Sequence, residues 1–486
     1  MIWLGETLAA KLPASMIVYP TKTAASLLAF ALLLSGCQQE ATERSDDILL
    51  VTIDTLRSDF VSAYGYPRKS TPNLDALAEQ GALFERHFTT IATTAPAHAT
   101  MFTGLYAREH GLTKNGQLLG SELPNLPEIL NDRGYRTGAS IGARILGSKH
   151  GFARGFESFD EDFGPTVLRP AGKSGKYERY AESVIDRAIG ILEQPDERPL
   201  FLWVHLYDPH DPYQPPQPSP LHPERELNFF RKRAEPSAEY NRDILSKMLA
   251  GYEAELTYVD GQFGRLLTAW ESRATGPDSL VIVTSDHGEG LGEHRYQGHG
   301  FLLYEEQVNI PLIIRYQPVI ESGLRIASTT STIDLPATIL ELIGIGNLPE
   351  IKGRSLISLS GASMRNRDAF AERRHFKDTD LQRSDALRKL IKNFARQPIG
   401  SVGEKCILVR ENWKFVWNDN GRHELFDLAA DPREEHNLYA DKPERASEMQ
   451  SAIEQWRKKD SVHSSAVGAE AHADTETEEM LDALGY

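Results

Sequence analysis

The amino-acid sequence predicts an α/β fold with a mostly parallel sheet, from three observations. First, three continuous apolar runs (45–54, 198–213 and 279–290) have the length and composition of strands buried on both faces. Second, segments with helical periodicity, including 71–81 and 238–272, lie between these runs, and strands that alternate with helices are typical of parallel sheets. Third, a chain of 486 residues with 40% hydrophobic content can form one large domain and a smaller one.

Each of the three apolar runs ends in carboxylates, and imidazoles accompany two of them. Asp54 closes the first run, Asp208 and His210 follow the second, and Asp286 and His287 follow the third. Ligands of open α/β sheets bind at the carboxyl ends of strands. Buried charges are costly unless they are paired or bind metal, so core packing alone does not account for this cluster. Asp and His donors together suit zinc or manganese, although an Asp-His pair at a strand end can also cap a helix.

The overall charge argues against a nucleic-acid partner. The chain has 69 acidic and 53 basic residues and a formal net charge of -16. Nucleic acids and anionic membrane surfaces attract proteins with a net positive charge. A nucleic acid or an anionic membrane surface is therefore not an expected partner.

The N-terminal segment is predicted to be a secretory signal. Lys22 precedes an apolar run over 24–34, which is too short to span a membrane comfortably, and Cys37 follows. The residues LLSGC resemble the lipobox of bacterial lipoproteins, which implies cleavage after residues 1–36 and lipidation of Cys37. The alternative is an ordinary signal with an incidental cysteine. We expect a lipid-anchored protein of the bacterial cell envelope, periplasmic or associated with the outer membrane.

The remaining chain is expected to divide into three parts. These are a catalytic domain over 46–380, a C-terminal subdomain over 381–457 and an acidic tail over 458–486. Within the subdomain, residues 409–428 predict two strands around an Asp-Asn-Gly turn.

Several motifs resemble those of the sulfatase family of the alkaline phosphatase superfamily, in the family's order, over about residues 48–438. The matching stretches include LLVTIDTLRSDFVSAYG, TAPAHATMFTG, DPHDPYQPP, TSDHGEGLGEH and ELFDLAADPREEHNL. This resemblance implies the family's large mixed, mostly parallel sheet between helices, followed by a small C-terminal sheet-plus-helix subdomain. It also implies a metal-dependent hydrolase of esters, whose substrate partner would be a small-molecule, glycan or lipid ester.

The nucleophile position departs from the usual family pattern of Cys or Ser followed by Pro and Arg. With Thr103-Gly104 aligned to the family's Thr-Gly, Thr94 occupies the nucleophile position, Pro96 is in register, and His98 stands where the family has Arg. Because threonine is not converted to formylglycine, the resemblance implies an unmodified Thr94 hydroxyl as nucleophile. Thr94 is expected at the start of a helix, where the alternative role is an N-cap.

The resemblance implies one metal site formed by Asp54, Thr94, Asp286 and His287. Sulfatases commonly have a second Asp where Thr55 stands here, and often an Asn in place of His287. Oxygen-only ligands favour calcium, whereas an imidazole favours zinc or manganese. We therefore expect zinc or manganese in preference to calcium.

Two fixed positive charges of the family's sulfate-binding site are missing. The family's Lys and His align with Ala143 and Ile145, and a further Lys aligns with His299. Asp208, His210 and His299 are therefore candidates for a second metal site, in which two cations would clamp an in-line displacement. The alternative is that His210 and His299 contact the substrate.

Other polar residues have open roles at this stage. His98 is a candidate to orient Thr94 or to act as general acid, and alternatively is a packed histidine. Arg57 is a candidate to bind a substrate anion or to pair with Asp59. Three further residues beside the metal loop are expected to support the ligands: Glu289, Glu293 and His294.

The predicted function is hydrolysis of phosphate or phosphonate esters, in preference to sulfate esters, through Thr94. The catalytic residues would be Thr94, His98, His210 and His299. Three alternatives remain: a true sulfatase, a transferase of phospho-headgroups, and a catalytically inactive binding module. Retention of Asp54, Asp286 and His287 argues against the last.

Overall fold

The computed structural model describes residues 46–163, 178–211, 213, 215–216, 242–273, 278–356, 367–373 and 403–459. The predicted signal and Cys37, most of the proline-rich stretch at 212–226 and the tail from residue 460 lie outside the described residues. The described part from Asp46 onward belongs to one compact unit.

The described helices are α1 (Pro72–Gln80), α2 (Thr94–Thr103), α3 (Ala107–His110), α4 (Leu126–Asp132), α5 (Ala181–Leu192), α6 (Arg242–Glu271), α7 (Glu305–Val308), α8 (Leu335–Leu342) and α9 (Pro443–Lys459). The strands are β1 (Ile48–Ile53), β2 (Ala82–Phe84), β3 (His87–Phe88), β4 (Arg136–Ile141), β5 (Ser158–Asp160), β6 (Leu200–Leu206), β7 (Leu280–Thr284), β8 (Gly290–Leu291), β9 (Gln297–Gly298), β10 (Asn309–Ile310), β11 (Leu312–Arg315), β12 (Leu324–Ile326), β13 (Thr330–Ser331), β14 (Ala369–Arg373), β15 (Lys405–Arg410), β16 (Trp413–Asn418) and β17 (Glu424–Asp427).

A large mixed sheet forms the centre of the structure, with the strand order β12-β2-β11-β7-β1-β6-β4-β5. Strand β1 pairs in parallel with β6 on one side and β7 on the other, and only the two pairings of β11 are antiparallel among the eight strands of this sheet. The three apolar runs that predicted strands are therefore the three adjacent central strands. The predicted mostly parallel α/β sheet is confirmed.

Both faces of the sheet are covered by helices, because the apolar runs supply side chains to each face in turn. Ile48 and Leu50 of β1 pack in one core cluster, whereas Leu49, Val51 and Ile53 pack in the other. The first cluster includes apolar residues of α2, α4 and α8, and the second includes residues of α1, α5 and α6. The continuous run of apolar residues in β1 is therefore explained by the burial of both of its faces.

A second, antiparallel sheet lies in the C-terminal part, with the order β14-β15-β16-β17. The predicted pair of strands over 409–428 corresponds to β16 and β17, and Gly421 in the connecting turn has a positive φ of 76°. Helix α9 packs against β15 and β16 through Met449 and Ile453. The sheet already begins at β14, before the expected subdomain boundary at residue 381.

No helix within the described ranges combines the length and the apolar character needed to cross a membrane.

Candidate active site

Three predicted metal ligands meet at one edge of the central sheet. Asp54 directly follows β1, and Asp286 and His287 follow the adjacent parallel strand β7, whose Thr284 is in register with Thr52. All three side chains are buried, and their ligand atoms lie within 4.8 Å of one another. The structure therefore brings together three of the five residues that the strand-end argument selected.

Thr94 lies at the first residue of α2, as predicted, with Pro96 in the first turn. The N-cap position belongs to Thr93, and the side chain of Thr93 makes no capping hydrogen bond. Thr94 Oγ1 lies 3.3 Å from His287 Nε2. The side chain of Thr94 therefore reaches the metal-ligand group, and the residue is not the N-cap.

The orientation of His287 is set by its own loop. Nδ1 donates to the carbonyl oxygen of Gly288 at 3.0 Å, so Nε2 carries the lone pair of the neutral ring. Nε2 lies 3.4 Å from Asp286 Oδ2 and 4.0 Å from Asp54 Oδ1. A backbone carbonyl that fixes the ring in this way is a common support for metal-binding histidines.

Several buried oxygen atoms of the site are not satisfied by the protein. Among the described residues, both carboxylate oxygens of Asp54 and Oδ2 of Asp286 have no hydrogen-bond partner. Asp286 Oδ1, by contrast, accepts from the backbone N–H of His287 at 2.8 Å and of Thr55 at 3.2 Å, and Thr55 has a positive φ of 53°. Unpaired buried carboxylate oxygens are costly unless a cation binds them. This donor set of two carboxylates, an imidazole and a hydroxyl fits one divalent cation.

The electrostatics of the three ligands agree with a cation site. Burial, and then repulsion from Asp286, raises the pKa of Asp54 well above its ordinary value. Burial also acts to raise the pKa of Asp286, but His287 and then His98 and His205 more than offset it, and the pKa is lowered. For His287, burial lowers the pKa, but Asp286 and Asp54 raise it by more. The histidines therefore stabilise the negative charge of Asp286, whereas the negative charge of Asp54 is left without sufficient compensation from the protein.

His98 lies on α2 one turn after Thr94, and hydrogen bonds hold both of its ring nitrogens. Nδ1 donates to the carbonyl oxygen of Thr94 at 2.8 Å, and Nε2 lies 3.1 Å from Thr52 Oγ1. Burial lowers the pKa of His98 to about 3, so the ring is neutral and Nε2 accepts from the Thr52 hydroxyl. The structure places His98 behind Thr94, where it fixes the start of the helix.

His205 belongs to the site but was not among the predicted residues. It lies on β6 in register with Thr52, with Nδ1 3.1 Å from Thr52 Oγ1 and Nε2 3.6 Å from Asp54 Oδ2. Burial lowers the pKa of His205 to about 4. The one signal in the sequence is an imidazole inside an otherwise apolar strand, since a buried ring nitrogen needs a partner.

His210 and His299 lie beside His287 in a row of three imidazoles. The ring centroids of His287 and His299 are 4.3 Å apart, and those of His299 and His210 are 5.1 Å apart. His299 Nδ1 lies 3.3 Å from Glu289 Oε1, and His210 Nδ1 donates to the carbonyl oxygen of Asp211 at 2.7 Å. Burial lowers the pKa of His210 to about 3 and lowers that of His299 well below its ordinary value.

Asp208 does not join this row. Its Oδ2 accepts from the backbone N–H of Ala181 at the start of α5, at 2.9 Å. In the described part of the chain, Asp208, His210 and His299 are not a group whose ligand atoms lie within metal-binding distance of one another. One oxygen of Asp208 is thus bonded to a helix terminus, and the second metal site stays a prediction.

Arg57 is engaged by two acidic side chains and a backbone carbonyl oxygen in the structure. Its Nε and Nη2 bond both carboxylate oxygens of Asp59 at 2.9 and 2.8 Å, and its Nη1 bonds Glu293 Oε1 and the carbonyl oxygen of Glu289. All three nitrogens of this buried guanidinium are thereby engaged. The alternative pairing with Asp59 is the one that the structure shows.

The three residues expected to support the metal ligands have different partners. Glu289 contacts His299, Glu293 pairs with Arg57, and His294 Nδ1 lies 2.9 Å from Glu306 Oε1. Only Glu289 is thus joined to the imidazole row, and burial raises its pKa to about 7.

Comparison with known proteins gives the family. Residues 46–345 match the Sulfatase family model. The chain is 25% identical to the N-acetylglucosamine-6-O-sulfatase of Bacteroides thetaiotaomicron over 88% of this chain and 89% of that protein. It is 27% identical to the multifunctional alkaline phosphatase superfamily protein PehA of Trinickia caryophylli, over 81% of this chain and 91% of that protein.

Solved structures share the fold. The phosphonate monoester hydrolase of Agrobacterium radiobacter superposes with a TM-score of 0.65 at 24% identity, covering 85% of this chain and 96% of that one. Members of this superfamily depend on divalent metal, and candidate ligands are present here. The chain belongs to the sulfatase family within the alkaline phosphatase superfamily and is an ester hydrolase.

Proposed function

We propose that this protein hydrolyses phosphate or phosphonate esters through a covalent intermediate on unmodified Thr94. The observation that carries the proposal is the position of Thr94 Oγ1, 3.3 Å from Nε2 of a metal-ligand histidine at the start of a helix. The N-terminus of α2 offers backbone N–H groups and partial positive charge to an anionic group.

The site would hold one zinc or manganese ion through Asp54, Asp286, His287 and Thr94. When bound, the cation would lower the pKa of the Thr94 hydroxyl and neutralise charge on the substrate. In the first step a bond forms between Thr94 Oγ1 and phosphorus, the bond from phosphorus to the ester oxygen breaks, and the alcohol that leaves carries the proton lost by Thr94. Water then attacks phosphorus and releases Thr94 with its proton restored.

The other residues of the site have positioning and proton-transfer roles in this proposal. His98 holds the Thr94 carbonyl and is a positioning residue. His210 and His299 are neutral at neutral pH because of burial, so each can accept the proton of the attacking water. The structure offers no geometry in which His98 faces a leaving group, since both of its nitrogens are engaged within the protein.

A preference for phosphorus over sulfur is supported by the residues that replace the family's sulfate contacts. Ala143 and Ile145 are buried in the hydrophobic core beside α2, and Arg57 is engaged by acidic partners. PehA is described as multifunctional, and phosphonate monoester hydrolases are among the structural neighbours. Hydrolysis of sulfate esters is the second candidate, because the relatives also include an N-acetylglucosamine-6-O-sulfatase.

The substrate class can be tested with a matched set of 4-nitrophenyl substrates: a phosphate monoester, a phosphate diester, a phenylphosphonate ester and a sulfate ester. We expect the highest kcat/KM for a phosphorus ester, with release of free acid and no transfer to added glycan or lipid acceptors. A sulfate ester as best substrate would support the sulfatase alternative, and transfer to an acceptor would support the transferase alternative. We further propose that a lipid on Cys37 anchors the protein in the bacterial cell envelope.

A further inference from the structure

His205 Nε2 faces a carboxylate oxygen of Asp54, and the two atoms are not joined by a hydrogen bond. His205 is fully buried (0% exposed), and its Nε2 lies 3.6 Å from Asp54 Oδ2. Among the described residues, neither of these two atoms has a hydrogen-bond partner. Such a pair of buried polar atoms needs an explanation.

The hydrogen bonds of Thr52 Oγ1 assign the proton of His205. Trp203 Nε1 donates to this oxygen at 3.0 Å, and His98 Nε2 and His205 Nδ1 each lie 3.1 Å from it. The single hydroxyl proton of Thr52 goes to His98 Nε2, because His98 Nδ1 already donates to the carbonyl oxygen of Thr94. His205 Nδ1 must then donate to Thr52 Oγ1. Its Nε2 therefore carries a lone pair.

A lone pair and a carboxylate oxygen repel each other in a buried site unless a positive charge lies close to both. The network behind His205 is satisfied, so a ring flip would break the hydrogen bond from Nδ1 to Thr52. We propose that His205 donates its Nε2 lone pair to the divalent cation of this site, as a nitrogen ligand in addition to Asp54, Asp286 and His287. This inference rests on the metal site of the proposed function.

Two separations between donor atoms match this assignment. Two donors on one tetrahedral zinc ion, with bonds of about 2.0–2.1 Å, lie about 3.3 Å apart. His205 Nε2 is 3.6 Å from Asp54 Oδ2, and His287 Nε2 is 3.4 Å from Asp286 Oδ2. Asp54, Asp286 and His287 form the group whose ligand atoms all lie within 4.8 Å of one another, and His205 Nε2 adjoins that group at Asp54 Oδ2.

A second imidazole also bears on which metal binds. Calcium takes about six to eight oxygen ligands, whereas imidazole nitrogens suit zinc and manganese. Two imidazoles and two carboxylates would therefore select against calcium more strongly than the predicted set with His287 alone.

X-ray absorption at the zinc edge tests the inference directly, because the scattering of imidazole rings can be counted. With zinc alone added to the full protein, we expect two imidazoles in the wild type and one in His205→Gln. Chelator competition should show zinc affinity at least about tenfold weaker in His205→Gln. The matched control is His87→Gln, since His87 is also fully buried with Nδ1 2.9 Å from a threonine hydroxyl, and it should bind zinc as the wild type does.

The outcomes separate this inference from the proposed function. If the wild type binds zinc through only one imidazole, the inference is overturned by the wild-type measurement alone. Equal zinc affinity of the wild type and His205→Gln would also overturn it. A wild type that binds no divalent cation would instead overturn the metal site itself. Near-UV circular dichroism on each variant shows whether a loss of zinc comes from a loss of fold.

Discussion

Thr94 Oγ1 and His287 Nε2 lie 3.3 Å apart although 193 positions separate the two residues in the chain. The contact joins the first residue of α2 to the loop after β7, and both side chains are buried. It places a hydroxyl group, a helix N-terminus and a candidate metal-binding histidine at one point, an arrangement that suits the proposed nucleophilic attack on an anionic ester.

The metal site predicts a defined composition of the purified protein. We expect about one zinc or manganese ion per chain and loss of that ion in Asp54→Asn, because Asp54 brings two unpaired buried oxygens. Elemental analysis after extensive dialysis measures this. The control is Asp431→Asn, which alters a second acidic group, formed by half-buried Asp431 with exposed Glu435 and His436, and leaves the buried site unchanged. Calcium as the only metal found would contradict the assignment.

Removal of the cation should also lower thermal stability. A ligand that binds only the folded state stabilises it by about 2.7 kcal/mol at a free concentration of about 100 times Kd. The melting temperature of the wild type should therefore rise with added zinc, and that of Asp54→Asn should not. An equal rise in both proteins would indicate zinc binding elsewhere.

The ion pair of His294 and Glu306 predicts a pH-dependent contribution to stability. Burial opposes the charge on His294, but Glu306 at 2.9 Å raises its pKa from 6.5 to about 9. Because the pKa is higher in the folded state, the contribution is complete below pH 6.5 and is lost as the pH rises through 9. At about 1.4 kcal/mol per pKa unit, the loss is roughly 3 kcal/mol.

Urea denaturation between pH 6 and 10 measures this contribution for wild type and His294→Gln. The difference in unfolding free energy between the two proteins should shrink as the pH rises through 9. His436→Gln serves as control, since His436 is 77% exposed. A difference that stays constant with pH would contradict the assigned role of His294.

Arg57→Met distinguishes a structural arginine from a substrate-binding one. We expect the unfolding free energy to fall by about 3–5 kcal/mol, because Asp59 and Glu293 lose a buried partner. The kcat/KM of the remaining folded enzyme should change little. Arg325→Met is the matched control, since Arg325 is 52% exposed, pairs with Glu85 and should cost less than about 1 kcal/mol. Unchanged stability with a raised KM would restore the substrate-binding role.

Periodicity and strand-end chemistry predicted much of the fold and the core of the site. The three apolar runs became adjacent strands because continuous hydrophobicity is required only where both faces of a sheet are covered. Parallel neighbours then bring Asp54, Asp286 and His287 to one edge, so these residues were recognisable before any geometry.

Residues whose roles depend on register or on competing partners were not predictable in the same way. His205 lies beside Thr52 only because β1 and β6 pair in the register that sets these two residues side by side. A strand without alternating polar and apolar residues does not reveal this register in the sequence. Asp208 follows its strand just as Asp54 does, but a helix terminus at Ala181 takes its carboxylate. Arg57 had two plausible anionic partners, and only the positions of Asp59 and Glu293 decide between them.

The proposed lipid anchor predicts that Cys37→Ser releases the protein from the membrane fraction. The thioether-linked lipid requires the cysteine thiol, and serine cannot replace it. Fractionation of cells that express the full chain measures this, with Cys406→Ser as control because Cys406 is buried in the small sheet. Membrane association that persists in Cys37→Ser would contradict the anchor.

The central claim is that Thr94 is the nucleophile, and kcat/KM of Thr94→Ala and Thr94→Ser tests it most directly. Both variants should fold and bind zinc, since Asp54, Asp286 and His287 remain and Thr94 is not the N-cap of α2. With the best ester of the substrate panel, Thr94→Ala should lose at least about a thousandfold, because nucleophile and metal act as a unit. Thr94→Ser should retain substantial activity, because the hydroxyl remains. A near-wild-type rate in Thr94→Ala would contradict the covalent mechanism and favour direct attack by water.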